Sequence, residues 1–93
     1  MSEIVDQARL DAEGRVAQAK AQVAAAEATL AQVEANWQQA VWDAERFETR
    51  AEEGHEPERS ARQMRSQATA LEAAVRAARR QVQAAQGALE TAT

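Results

Sequence analysis

The sequence predicts an all-α fold: a two-helix antiparallel coiled-coil hairpin in which the first helix is longer than the second. The 93-residue chain has one phenylalanine, two tryptophans and no tyrosine, which disfavours a globular core. Alanine, glutamate, glutamine and arginine dominate it, as they do in long helices and coiled coils. Apolar residues recur every three or four positions, and only the stretch from residue 50 to residue 59 breaks that spacing. Residues 1–93 therefore form one domain.

The first helix is predicted from about residue 3 to residue 53. Its apolar residues follow steps that alternate between three and four, and an average near 3.5 is the coiled-coil period. The series comprises Val16, Ala19, Val23, Ala26, Leu30, Val33, Trp37, Ala40, Ala44, Phe47 and Ala51. Extended towards the amino terminus, it meets Ala12, Arg9 and Val5. We expect this face to form the contact between the two helices, which we call the seam.

The second helix is predicted from about residue 57 to residue 91. Gly54 can end the first helix in a left-handed conformation. Pro57 can start the second helix, where its missing N–H is not needed. The apolar series of this helix comprises Ala61, Met64, Ala68, Leu71, Val75, Ala78, Val82, Ala85, Leu89 and Ala92. A turn as short as residues 54–57 makes the two helices antiparallel.

Two registers of the seam satisfy this pattern. If paired residue numbers sum to 115, a large side chain faces a small one at nearly every layer, as when Trp37 faces Ala78. In a register one heptad tighter, the numbers sum to 108 and Trp37 faces Leu71. The first register is the preferred prediction, because it avoids placing those two large side chains against each other.

Either register leaves the start of the first helix without a partner. We expect about 15 to 20 residues to extend past the second helix, with Val5, Ala12 and Val16 bare. A second copy or the rest of a larger protein would cover them.

A second stripe follows the back of the first helix and runs into Trp42. Its alanines are Ala17, Ala21, Ala24, Ala28, Ala31 and Ala35, and the second helix has a similar set at Ala70, Ala74, Ala77, Ala84 and Ala88. Alanine is the best helix former for a surface, so lateral packing and simple helix propensity explain the stripe equally well. Trp42 favours packing, because tryptophan is enriched at interfaces. We predict lateral or dimer contacts at Val5, Ala12, Val16 and Trp42.

Charge is unevenly distributed along the chain. The net charge of −4 argues against nucleic acid as a partner. Residues 1–53 hold eleven acids and five bases, whereas residues 59–80 hold six arginines and one acid, Glu72. We expect the acidic helix to attract the basic one beside it. The basic face also lacks the interleaved aromatic residues that single-strand binders use.

The sequence offers no constellation for catalysis. With one histidine, His55, and no cysteine, the chain cannot form a Ser-His-Asp or a Cys-His grouping by itself. His55 and the glutamates around it make only a weak candidate for a metal site. We expect no enzyme activity, no cofactor and no metal. No apolar run approaches the roughly 18 residues that span a bilayer, and no leader is recognisable, so the chain itself is not expected to be membrane-embedded.

Two stretches carry a more specific pattern. They read AQAKAQVAAAEATLAQVEANWQQAVWDAERFETRAEEG and ERSARQMRSQATALEAAVRAARRQVQAAQGALETAT. The positions that carry it are Asp43, Arg46, Phe47, Gly54 and Leu89. With these residues the chain resembles the α-helical hairpin of periplasmic adaptor proteins, also called membrane fusion proteins of the HlyD family, over nearly its whole length.

The resemblance implies a hairpin that projects from a lipoyl-like domain of a periplasmic protein anchored at the inner membrane. It implies lateral assembly with neighbouring hairpins and tip-to-tip docking with an outer-membrane channel of the TolC type. Residues expected at the docking tip are Arg46, Arg50, Glu53, Gly54, His55 and Pro57. The family's docking pattern has leucine where Arg50 stands and serine where Pro57 stands. Docking here would therefore be more polar and more salt-sensitive.

Two hypotheses of function follow. In the first, the chain is a non-enzymatic docking hairpin of an adaptor that links an inner-membrane transporter to an outer-membrane channel in efflux or type I secretion. In the second, it is a self-contained coiled-coil oligomerisation module, in which two hairpins form a dimeric four-helix bundle. What covers the segment from Val5 to Val16 distinguishes the two.

Overall fold

The computed structural model describes residues 2–93. Helix α1 spans Ser2–Glu52 and helix α2 spans Glu58–Ala92, and residues 53–57 connect them. The helices pack against each other in a rod whose Cα atoms extend over 80 × 14 × 12 Å. The predicted fold class is confirmed, with the longer helix first. Each predicted helix boundary lies within one residue of the observed one.

The seam consists of the residues that the spacing predicts. Among residues 2–93, the buried side chains are Ala19, Ala44, Ala61, Ala68, Val75, Ala78 and Val82. Larger seam residues such as Leu30, Trp37 and Phe47 are half-buried. Two helices alone cannot enclose a large side chain on all sides, so the buried residues are alanines and valines.

Gly54 ends α1 in the predicted left-handed conformation, with a φ of 80°. The His55 N–H donates to the Arg50 carbonyl at 2.8 Å, and the Gly54 N–H donates to the Ala51 carbonyl at 3.1 Å. These are the two hydrogen bonds of a Schellman motif, which satisfies carbonyl groups at the end of a helix. The turn is therefore fixed by α1 itself.

Pro57 precedes α2 and does not lie within its first turn, which corrects the predicted start by one residue. It is the N-cap, with φ −64° and ψ 143°. Its carbonyl accepts a hydrogen bond from the Ser60 N–H at 3.1 Å. Glu58 is then the first helical residue, and its carboxylate lies near the positive end of the helix dipole.

The end of the rod opposite the turn, which we call the open end, favours the tighter register. Ala92 and Thr93 border the same surface depression as Val16, and Ala19 is buried. In the wider, preferred register Ala92 would face Val23, which lies about 10 Å along α1 from Val16. Heptad spacing could not decide between them, because both registers place the same residues in the seam.

Residues 2–11 of α1 are exposed throughout and form what we call the overhang. The bare segment is shorter than the 15 to 20 residues predicted for either register. The end of α2, Ala92 and Thr93, borders the same depression as Ala12 and Val16. Val5 is bare as expected, at 67% exposure. Ala12 and Val16 are half-buried, contrary to the prediction.

Candidate functional site

The tip, residues 46–59, contains all six predicted docking residues. Glu53, Gly54, His55 and Pro57 are exposed at the end of the rod. Arg46 lies about 9 Å further down α1, six residues before its last residue. The structure therefore separates Arg46 from the turn, although all six belong to the same end of the molecule.

Arg46 is held by its own helix. Its Nη2 donates to Oδ1 of Asp43 at 2.9 Å, and the same Asp43 oxygen accepts a hydrogen bond from Gln39 at 3.2 Å. The Arg46 side chain nevertheless stays 63% exposed. It can therefore contact a partner while its orientation is fixed by Asp43.

Arg50 differs from Arg46, because no carboxylate within residues 2–93 lies within 4 Å of it. It stands in the last turn of α1, where the helix dipole favours a cation. Its guanidinium is therefore available to an external acceptor.

The turn does not assemble a metal site. His55 is exposed. Nowhere in residues 2–93 are three or more histidine, aspartate or glutamate side chains grouped so that they could hold a metal ion.

Trp42 lies on the outer face of α1 and is 63% exposed. On one side it borders a shallow depression together with Arg46 and Arg50. On the other it borders a second depression with Ala35 and Val41. The predicted lateral contact, Trp42, and two of the predicted tip residues, Arg46 and Arg50, thus share one surface. Their spacing of four residues along one helix could have indicated it.

Val5 belongs to a different surface from Trp42. The two residues lie 37 positions apart on one continuous helix, which corresponds to about 55 Å. Val16 and Ala12 border a depression with Ala92 at the open end. The predicted lateral residues therefore divide into one group at the open end and one residue near the tip.

Ile4 and Leu10, which were not among the predicted contact residues, are 76% and 55% exposed. Neither belongs to the seam series, so counting its steps passes over them. They could have been identified as large aliphatic residues in the part of α1 that was expected to extend past α2.

The predicted attraction between the two helices rests on one ion pair in residues 2–93, between Arg65 and Glu48. Each residue directly follows a seam position, Met64 and Phe47 respectively, and that adjacency could have identified the pair. The hydrogen bond from Arg65 lowers the pKa of Glu48 and raises the pKa of Arg65, while desolvation opposes both shifts. Four other arginines of α2 have no carboxylate within 4 Å in the part of the chain described: Arg59, Arg62, Arg79 and Arg80.

No helix in residues 2–93 is long and apolar enough to cross a membrane. Comparisons of the chain with protein-family models, with curated proteins and with solved structures found no match. Its function therefore has to be argued from its own geometry and charges.

Proposed function

We propose that the chain is a non-enzymatic docking hairpin of a periplasmic adaptor, which links an inner-membrane transporter to an outer-membrane channel in efflux or type I secretion. The observation that carries the proposal is a single continuous seam that ends in an exposed, polar tip. A rod of this kind holds its tip at a set distance from its open end. The 35 residues of α2 correspond to about 52 Å of paired helix.

The thinness of the rod supports a non-enzymatic role. With Cα extents of 14 and 12 Å across, two helices offer no cleft in which burial could tune a catalytic group. The depression beside Trp42 and Arg50 is lined by side chains of the outer surface. Such surfaces suit contact with another macromolecule better than enclosure of a small substrate.

The tip combines residue types that dominate the energetics of protein interfaces. Trp42, Arg46 and Arg50 border one depression, and tryptophan and arginine are enriched among the residues that contribute most to binding. Arg50 has no acidic partner within residues 2–93. We propose that this surface receives an acidic, partly apolar loop of the channel, and that salt weakens the contact.

The test is a charge reversal at the tip, Arg46→Glu with Arg50→Glu, made in the parent protein in its producing cell. The rod should remain helical, with a small loss of thermal stability because Arg50 leaves the negative end of α1. Export by the complex should fall to the background level. A matched control reverses two exposed bases elsewhere on α1, Arg15→Glu with Lys20→Glu, and export should survive it. Export that persists in the tip variant contradicts a docking role for the tip.

A second function, self-association into a dimeric bundle, is favoured by a separate observation. Three large aliphatic residues of the overhang, Ile4, Val5 and Leu10, are more than half exposed. They lie within seven consecutive residues of a segment that α2 leaves uncovered, and burying such side chains favours association. The two functions are compatible, because one concerns the tip and the other concerns the opposite end.

A further inference from the structure

We infer that the overhang of one copy packs against residues 73–89 of α2 in a second copy. The overhang of the second copy packs in the same way against the first. This inference rests on the second function, self-association, and does not depend on docking at the tip. It names the surface that covers the overhang, which the hypothesis of a dimeric bundle leaves open.

The overhang has the apolar groups that an interface requires. Ile4 is 76%, Val5 67% and Leu10 55% exposed, and α2 of the same chain covers none of them. Apolar area of this kind is the main favourable term in protein association.

The segment around the overhang is also strongly acidic. Residues 2–14 contain four acids, Glu3, Asp6, Asp11 and Glu13, against Arg9 alone, which gives a net charge of −3. Arg9 lies 3.8 Å from Asp6 and 4.0 Å from Glu13. A single exposed arginine at these distances leaves most of the acidic charge uncompensated.

Residues 73–89 of α2 have the opposite charge and a matching surface. They contain three arginines and no acid, which gives a net charge of +3. Only Arg76 has an acidic partner there, Glu72 at 3.2 Å, and Arg79 and Arg80 have none within 4 Å in residues 2–93. Ala77 and Ala84, which are small, are exposed near these arginines. Small residues leave room for the larger side chains of an incoming helix.

The two surfaces cannot meet within one chain. The overhang points away from the end of α2, whereas Arg80 lies 13 residues, or about 20 Å, before Thr93. A second hairpin placed antiparallel beside the first brings each overhang onto the other copy's arginines. A two-fold axis makes the contact isologous, so that the assembly closes at two copies.

The test uses two variants with opposite charge reversals. The overhang variant is Glu3→Lys with Asp6→Lys, and the arginine variant is Arg79→Glu with Arg80→Glu. Sedimentation equilibrium at low salt should give a dimer for the wild-type chain and at least a tenfold weaker dimer for each variant alone. An equimolar mixture of the two variants should restore a dimer with one copy of each, identified by native mass spectrometry. In that mixed dimer both contacts again join opposite charges.

The matched control is Arg59→Glu with Arg62→Glu, which reverses two arginines of α2 outside residues 73–89. This control should dimerise like the wild type. Circular dichroism checks that all variants stay helical. If a variant unfolds, amide hydrogen exchange of the wild type replaces it: residues 2–11 should become protected as the protein concentration rises.

The inference is overturned if the wild-type chain stays monomeric at about 200 µM, which is more than 100-fold above a micromolar Kd. It is also overturned if neither charge reversal weakens the dimer, or if mixing the two variants does not restore dimerisation. If the wild-type chain is monomeric but the tip reversal still abolishes export, self-association is contradicted and docking at the tip stands. If the chain forms a charge-dependent dimer but the tip reversal leaves export intact, docking at the tip is contradicted and self-association stands.

Discussion

Arg65 of α2 holds Glu48 of α1 through two hydrogen bonds, from Nε to Oε2 at 2.9 Å and from Nη2 to Oε1 at 2.7 Å. The guanidinium fork fits the carboxylate in a bidentate geometry. The pair spans the helices near the tip, so it aligns them where the chain reverses.

Loss of this pair should lower stability modestly, because both side chains are about two-fifths exposed. Glu48→Gln should reduce the melting temperature in low salt, and added salt should narrow the gap to the wild type. Glu27→Gln, at an exposed position of α1 away from Arg65, is the control. Equal effects of the two changes would show that the pair has no specific role.

The pH dependence follows from the same pair. Since Arg65 lowers the pKa of Glu48 in the folded chain, the pair stabilises the fold above the ordinary glutamate pKa of about 4.3. That stability should be lost as the pH falls from there through the lower folded-state pKa. Thermal melts of the wild type and of Glu48→Gln should therefore converge in acid. Curves that stay parallel across this range would contradict the assignment.

Val75 should be the most sensitive position of the seam. It is 2% exposed, so Val75→Asp places an unpaired carboxylate in the contact and should cost at least about 3 kcal/mol. Ala77→Asp, two residues away on the exposed face, should cost less than about 1 kcal/mol. Chemical denaturation measures both. A similar loss at the two positions would refute the seam.

Two glycines should respond in opposite ways to alanine. Gly54 has a φ of 80°, which alanine disfavours, so Gly54→Ala should cost about 1 kcal/mol. Gly87 lies inside α2 with open space around its Cα, so Gly87→Ala should stabilise the helix by about 0.5–1 kcal/mol. Thermal melts should move down for the first variant and up for the second. Two shifts of the same sign would be inconsistent with the Schellman ending of α1.

The two tryptophans should be distinguishable by fluorescence quenching. Trp42 is 63% exposed, whereas Trp37 is half-buried in the seam. In the variant Trp37→Phe, acrylamide should quench the remaining Trp42 strongly. In Trp42→Phe, the remaining Trp37 should be quenched less. Strong protection of Trp42 at dilute concentration would place it in a contact that the single hairpin lacks.

The sequence was sufficient for the helices, the turn and the seam, because each depends on local rules. Heptad steps placed Ala44 and Val75 inside, and Gly54 marked the end of α1. The offset between the helices was not predictable in the same way, because a slide of seven residues leaves every seam residue in the seam. Val16 was expected to be bare in either register, whereas it is half-buried and shares a depression with Ala92.

The candidate sites were harder to derive, because they depend on what the offset leaves uncovered. The position of the turn places Arg50 and residues 53–57 at one end of the rod, whereas Arg46 was expected there only from the family resemblance. Ile4 and Leu10 lie outside the periodic series, so their importance becomes clear only when the structure shows that α2 does not cover them. The shared surface of Trp42 and Arg50, by contrast, follows from their spacing of eight residues, about two turns, on one helix.

The heptad spacing of the seam also makes the reach of the rod adjustable. In the tighter register, residues 30–36 of α1 lie opposite residues 72–78 of α2. Deleting both segments would shorten the paired length by about 10 Å and leave every remaining seam residue in phase. The same operation in reverse would lengthen it by an equal step. The length of the rod can therefore change in steps of one heptad while the tip and the open end keep their sequences.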